Sequence, residues 1–595
     1  MTKRFLQIGA LAFTVLLITA AAAPAQDEWL TPYEMSDEVA TPRYQETVDF
    51  CQRLAQYSDY AEFTGFGLSP QGRMLPLLII DKDQEFNPKG AKTKNKVVVL
   101  FQAGIHAGEI EGKDAGLMLF RDMLVDSSYQ EFLDSVVVLF IPIFNVDGHE
   151  RFGPYNRINQ NGPREMGWRT TAQDLNLNRD FAKADSPEMR GWLAMFTDWL
   201  PDFLVDIHTT DGADYQYVIT YAIETTSNVA EPLRSWTEQE FLPDVKERME
   251  GSAFSFIPYV VPRTDHDVRS GLIHWTAGPR YSNGYGAAQN RPFLLIETHM
   301  LKPYKQRVKS VYELMRHVLG IAYRSATHIK QVMEESDDAT ARDLVGHYFP
   351  LQFEEDYNDS TMIDFYGTEM TREKSDISGT QRIIWTGNAR QYHIPYFEHN
   401  VPTDSAMIPY AYLIPVEWGD VISRLGLHGI SVDYLSEPAT LPISSYRFSK
   451  VKFSPESFEG RQMVTADRTE FTEQHTYPAG TAVIRMNQRT ARIAADLLEP
   501  GSSDSFFQWG FFNNILEEKE YAEDYVMEKL AREMIASDST LKIEFDKKLK
   551  EDPEFAKSPE QRLHFFYERS PYFDSHYCVY PIGRLMSRRE LPLGD

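Results

Sequence analysis

Cysteine is nearly missing: Cys51 and Cys578 are the only two in 595 residues, too few for a disulfide scaffold or a cysteine-rich zinc module. Any metal must therefore be held by histidine and carboxylate side chains. The two thiols lie far apart in sequence and leave a single disulfide and two buried thiols both open. Positive charge is also short, with 60 Lys and Arg against 87 Asp and Glu and a net charge of −27. Such a field repels phosphate backbones and argues against nucleic acid as a partner. Long apolar runs are confined to one place. After Lys3 and Arg4, residues 5–22 are apolar, and Ala23-Pro24-Ala25 gives a small-x-small cleavage pattern before Asp27 and Glu28. These features predict a signal peptide over residues 1–25, export to the periplasm or the outside, and no membrane attachment after cleavage. Internal repeats and low-complexity tracts are lacking as well.

What is present is a series of short β-branched runs. Residues 97–101, 136–141, 203–207 and 293–296 are continuous apolar stretches of strand length, as expected of strands buried on both faces. Helical spacing is found over residues 44–57, 109–125 and about 302–335, while residues 63–67 and 75–80 read as strand, turn, strand. Residues 81–95 read as a loop and 334–342 as a charged linker. The alternation predicts an α/β domain over residues 40–335, with a mixed, largely parallel sheet covered by helices. Its polar residues should gather at the carboxyl ends of the strands. Residues 345–495 alternate strand-like runs with Gly, Pro, Asp and Ser turns and predict a β-rich region. Residues 496–595 predict a helical C-terminal region, solvated over 515–563 because of its charge runs.

The residues able to do chemistry stand at the ends of those runs. Directly after the first comes Gly104-Ile105-His106-Ala107-Gly108-Glu109, an imidazole and a carboxylate three residues apart at a strand-to-helix transition. Zinc accepts such a pair, although His-x-x-Glu alone equally fits a capped helix start with a surface histidine. Phe144-Asn145-Val146-Asp147-Gly148 is a turn signal. Trp168-Arg169 and Asp174-Leu175-Asn176-Leu177-Asn178-Arg179 bring guanidinium groups suited to a carboxylate or an oxyanion, or to ion pairs with the chain's many acids. Asp206-Ile207-His208 ends a strand in the form of a third metal ligand. Leu295-Ile296-Glu297 ends another with an acid that suits either a general base beside a metal or an edge salt bridge.

In order, spacing and strand context, these six elements resemble the zinc carboxypeptidase family, the carboxypeptidase A-like group, over roughly residues 40–330. The resemblance implies one zinc per chain held by His106, Glu109 and His208. It further implies that Arg169 polarises the scissile carbonyl, Asn178 and Arg179 hold the free terminal carboxylate of a peptide substrate, and Glu297 handles the water proton. The family's substrate-capping tyrosine is placed at Tyr281, with Trp275 and Tyr285 nearby. Asn176 departs from the family, which commonly has an acid there to orient a zinc ligand, so Asp174 or another group is expected in that role. The tail beyond residue 345 has no counterpart in the simple digestive enzymes of the family. His149, His266, His274 and His299 read as lying outside the ligand set, residues 506–512 as aromatic core or an interdomain contact, and Arg280 and Arg291 as ion-pair partners. Two rival functions share the motifs: a zinc amidohydrolase acting on cell-wall peptides or acylated amino acids, and a non-catalytic binding protein on the same fold.

Overall fold

The computed structural model describes residues 26–210 and 212–594, and the leader read from residues 1–25 lies outside them. No helix of the described residues is long and apolar enough to cross a membrane. Ala61–Leu68 (β1) and Met74–Ile80 (β2) form an antiparallel hairpin. Val97–Ala103 (β3), Val136–Ile141 (β4), Phe203–Thr210 (β5), Ile219–Ala222 (β6) and Phe256–Pro258 (β7) follow. Val261–Thr264 (β8) and Asp267–Ile273 (β9) then make a second hairpin before Phe293–His299 (β10). The main sheet runs β1-β2-β4-β3-β5-β10-β6-β7. Its centre, β4-β3-β5-β10, is parallel, and β2 and β6 join antiparallel on either side. This is the mixed, largely parallel sheet that the apolar runs predict.

Those runs are apolar throughout because both faces are covered. Val98, Leu100 and Leu139 pack towards Met189, Trp192 and Phe196 of the helix Pro187–Trp199. The alternate residues Val97, Val99, Phe101 and Val138 face Phe120 and Met123 of Glu111–Leu124 and Val311, Leu314 and Val318 of Tyr304–Arg324. Two segments differ from the sequence expectation. Pro88–Lys94 is a helix, started by the Asn87 side chain accepting from the Gly90 N–H at 2.9 Å with Pro88 in the first turn; these are strong start signals that a lysine-rich stretch obscured. The charged residues 334–342 continue the helix Ala326–Asp343, whose Ile329, Val332, Met333, Ser336 and Thr340 recur at helical spacing on the buried side.

The rest of the chain is built onto this layer. Tyr348–Glu355 (β11), Thr361–Lys374 (β12), Gln381–Phe397 (β13) and Asn400–Met407 (β14) come first, then Ala411–Ile414 (β15), Asp433–Tyr434 (β16), Ala439–Phe453 (β17), Val464–Tyr477 (β18), Ala482–Arg485 (β19) and Gly583–Leu585 (β20). β12 and β13 extend the β8–β9 hairpin into one sheet, β12-β13-β9-β8, and a second sheet runs β16-β19-β15-β20-β17-β18. The short strand β20 thus lies inside its sheet, between β15 and β17. One apolar core joins Trp192, Phe196 and Tyr285 of the α/β layer to Tyr412, Phe506, Phe507 and Phe512 of the extension. The aromatic run at 506–512 is therefore an internal contact between the two parts. Helices at Asp524–Ser537, Ser539–Glu551, Pro553–Lys557 and Pro559–Tyr567 enclose Met527, Leu541, Phe545, Phe555, Phe565 and Phe566. The segment expected to be merely solvated therefore has an aromatic centre of its own, contributed a few residues at a time by several short helices. Cys51 and Cys578 are free and buried.

Candidate active site

β3, β5 and β10 deliver His106, His208 and Glu297 to neighbouring carboxyl ends of the parallel sheet. Gly104, with a left-handed φ of 66°, turns the chain out of β3, and the Glu109 N–H donates to the His106 carbonyl at 2.9 Å to close the following turn. The His106 Nδ1 lies 3.1 Å from both Glu109 carboxylate oxygens. The His208 Nδ1 lies 3.1 Å from Glu109 Oε2 and 3.3 Å from His106 Nδ1. Two ligands about 2.0–2.1 Å from one tetrahedral zinc stand roughly 3.4 Å apart, so these three buried donors suit one ion with an open fourth position. Among the described residues they form the one group of His, Cys, Asp and Glu able to do so.

The far nitrogen of each imidazole is engaged, which turns both Nδ1 lone pairs into the site. The His106 Nε2 donates to Asn176 Oδ1 at 3.0 Å and the His208 Nε2 to Asp206 Oδ2 at 2.8 Å. Asn176 itself therefore orients His106, and the expected substitute Asp174 instead accepts from the Thr170 hydroxyl at 3.2 Å. Burial pushes His106 down to about 4. Burial opposes a charge on His208 too, but the Asp206 carboxylate outweighs it and holds this imidazole well above its ordinary value. Burial would raise Glu109, yet His106 and Arg157 hold it well below the usual carboxylate range.

The other residues singled out in the sequence surround this centre. Glu297, half-buried, stands opposite His208 in the β5–β10 register. The half-exposed Arg169 guanidinium is 3.6 Å from Glu109. Asn178 and Arg179 lie on the 3₁₀ turn Leu177–Arg179, opened by the Asn178 N–H donating to Asn176 Oδ1 at 3.0 Å. The Arg179 guanidinium donates to the Asn178 carbonyl at 2.7 Å and lies 4.4 Å from the Tyr281 ring centroid. Asn178 Oδ1 is buried without a hydrogen-bond partner, an acceptor left over where a ligand donor could sit. One residue was not found from sequence: Arg157, whose Nη2 donates to Glu109 Oε1 at 2.6 Å. It lies in an irregular loop with no motif, and only Gly108 hints at it, since a Cβ there would meet the Arg157 side chain at 2.6 Å. His149, His274 and His299 stand apart from the donor group, engaged with Lys113, Tyr396 and Tyr215 respectively. Arg280 and Arg291 form ion pairs with Asp504 and Asp337.

A buried His-Glu-His donor set able to hold a metal ion thus stands at the carboxyl ends of a parallel sheet, with an acid and arginines around it. Residues 47–192 match the zinc carboxypeptidase family model. The matched segment contains His106, Glu109, Arg169, Asn178 and Arg179; His208, Tyr281 and Glu297 follow it. Carboxypeptidase 2 of Trichophyton tonsurans is 24% identical over 507 residues, covering 80% of this chain and 86% of its own. The inactive metallocarboxypeptidase ecm14 of Schizosaccharomyces pombe is 29% identical over 129 residues, covering 21% of this chain and 24% of its own. Among solved structures, carboxypeptidase A from Helicoverpa armigera aligns with 48% of this chain and 74% of its own at 15% identity and a TM-score of 0.36.

Behind the site, Glu224 Oε1 accepts from the Ala277 N–H at 3.0 Å and the Asn283 amide at 2.9 Å, and Oε2 is buried without a partner. Burial pushes this carboxyl up from 4.5 to about 8. The folded chain thus binds the proton more tightly than the unfolded chain, so this group favours folding most below 4.5 and loses that contribution as pH rises through about 8. Glu224→Gln should therefore melt higher than the parent at pH 8–9, with the difference closing below pH 4.5. Parallel melting curves across that range would refute the assignment.

Proposed function

We propose that this chain is a zinc-dependent metallocarboxypeptidase, exported after loss of residues 1–25, that removes residues from the free C-termini of peptides. The observation that carries this reading is the donor triangle of His106, Glu109 and His208, with each histidine already held by its far nitrogen. Zinc bound by these three would supply Lewis-acid polarisation of a carbonyl and more acidic water. The chain's own groups do the rest. Arg179, with Asn178, pairs with the terminal carboxylate, and the Tyr281 ring against its guanidinium limits how far that group can swing. Arg169, beside Glu109 at the mouth, stabilises negative charge developing on the carbonyl oxygen. Glu297 takes the proton of the attacking water and returns it to the leaving amine nitrogen.

The test is metal analysis of the purified chain together with release of C-terminal amino acids from a peptide mixture. About one zinc per chain and stepwise release, lost with a chelator and restored by zinc, is the expected result. Zinc without release would move the assignment to cell-wall peptides or acylated amino acids. Arg179→Ala should raise KM for peptides with a free carboxylate about 100-fold, roughly the 3 kcal/mol of a charge-assisted pair. An equal loss on amidated peptides would contradict the role given to Arg179.

A further inference from the structure

The extension reaches the turn at Asn176–Arg179 through one of its hairpins. Between β17 and β18 the chain makes a tight hairpin at Phe458–Arg461, the two residues exchanging backbone hydrogen bonds of 2.8 and 3.0 Å. The two residues at its tip, Glu459 and Gly460, both have left-handed φ, 50° and 75°. A two-residue turn of this hand favours Asn, Asp or Gly at its first position, and glutamate is a poor choice for the turn itself. What glutamate supplies is reach. Glu459 Oε2 accepts the backbone N–H of Asn176 at 2.8 Å across 283 residues of sequence, and its charge also acts on Arg179. The hairpin is fixed for this contact: Phe458 stacks on Trp509 at 5.9 Å, and Arg461 forms two hydrogen bonds, of 2.7 and 2.6 Å, with Asp185.

We propose that Glu459 is a positioning residue of the active site, through which the C-terminal extension sets the Asn176–Arg179 turn and with it the orientation of His106 and of the carboxylate-binding arginine. Asn176 is the pivot, because one side-chain oxygen accepts from both His106 and the Asn178 N–H. A lost hold on its backbone is therefore felt at the metal ligand and at the substrate end together. The consequence for zinc rests on the function proposed above; the hold on the turn does not.

Glu459→Gly separates the two roles a turn residue can have, since glycine suits the left-handed backbone and removes the carboxylate. On the metal-free full chain, hydrogen exchange over residues 175–179 should speed up in Glu459→Gly and return towards the parent rate in Glu459→Gln, whose amide oxygen still accepts. The melting midpoint of Glu459→Gly should stay level or rise. On the zinc-loaded chain, chelator competition should show zinc affinity about tenfold weaker, and KM for a free-acid dipeptide should rise more than kcat falls. Unchanged exchange in Glu459→Gly overturns the proposal. So does a fall in melting midpoint that Glu459→Gln fails to reverse, which would make the residue a brace of the hairpin only. A parent chain that takes up no zinc would sink the metal reading and leave the exchange comparison to decide the hold.

Discussion

Glu297→Gln should leave zinc binding and folding intact and lower kcat by about 10²–10⁴-fold, the range for loss of a positioned general base. The substitution keeps the size and planar shape of the side chain and removes only its ability to accept and return a proton. Glu297 lies opposite His208 in the parallel register and is not one of the three converging donors, so metal content should match the parent. KM should change little, because the proposed function assigns the terminal carboxylate to Asn178, Arg179 and Tyr281, which lie on other segments. The measurements are zinc per chain, melting midpoint and single-substrate kinetics on the same preparation. Turnover within a few-fold of the parent would remove Glu297 from the mechanism. Loss of zinc alongside turnover would move it to the ligand shell.

Arg584→Ala should lower the stability of the folded chain by about 3–5 kcal/mol. Arg584 is 2% exposed at its side chain and lies 3.0 Å from the fully buried Glu499. It donates to Glu470 at 2.9 Å and to the Met407 carbonyl at 2.6 Å. Glu499 also accepts from Tyr412 at 2.7 Å and Tyr446 at 2.8 Å. Removing the guanidinium leaves a carboxylate buried among hydroxyls without its counter-charge, which costs more than the ion pair itself contributes. Arg584→Met combined with Glu499→Gln should recover much of the loss, since glutamine can accept from one tyrosine and donate to the other. Denaturant midpoints of the single and double variants check this; a single variant as stable as the parent would show that the cluster is solvated in solution.

The α/β layer was legible because strands covered on both faces must be apolar at every position, and residues 97–101 and 136–141 are. The donor residues were legible for a related reason, since they stand where those runs stop. Asn176 shows where such reading fails: its part in holding His106 replaces an expected acid and becomes visible only when the two segments meet in space. Arg157 belongs to no periodic segment, and Glu459 and Asp504 act from the far end of the chain, so sequence spacing carries no trace of them. Residues 515–563 were read as solvated because their runs of Glu and Lys dominate the pattern; the apolar side of Asp524–Ser537, with Met527 and Ala531, packs instead on a centre assembled from Phe545, Phe555 and Phe565 on the following helices.

The inner position of β20 reverses the usual relation between order of synthesis and order in space. β15 and β17 leave the ribosome well before β20, and the helices at 524–567 are made in between. Until Gly583–Leu585 arrives, the two strands flank a gap, and Glu499 waits without Arg584. Pairing at such sequence separation is slow, and unpaired strand edges in the meantime are open to association with other chains. Completion of this sheet thus requires a three-residue strand made late, and a cut ahead of it would remove the middle of a sheet.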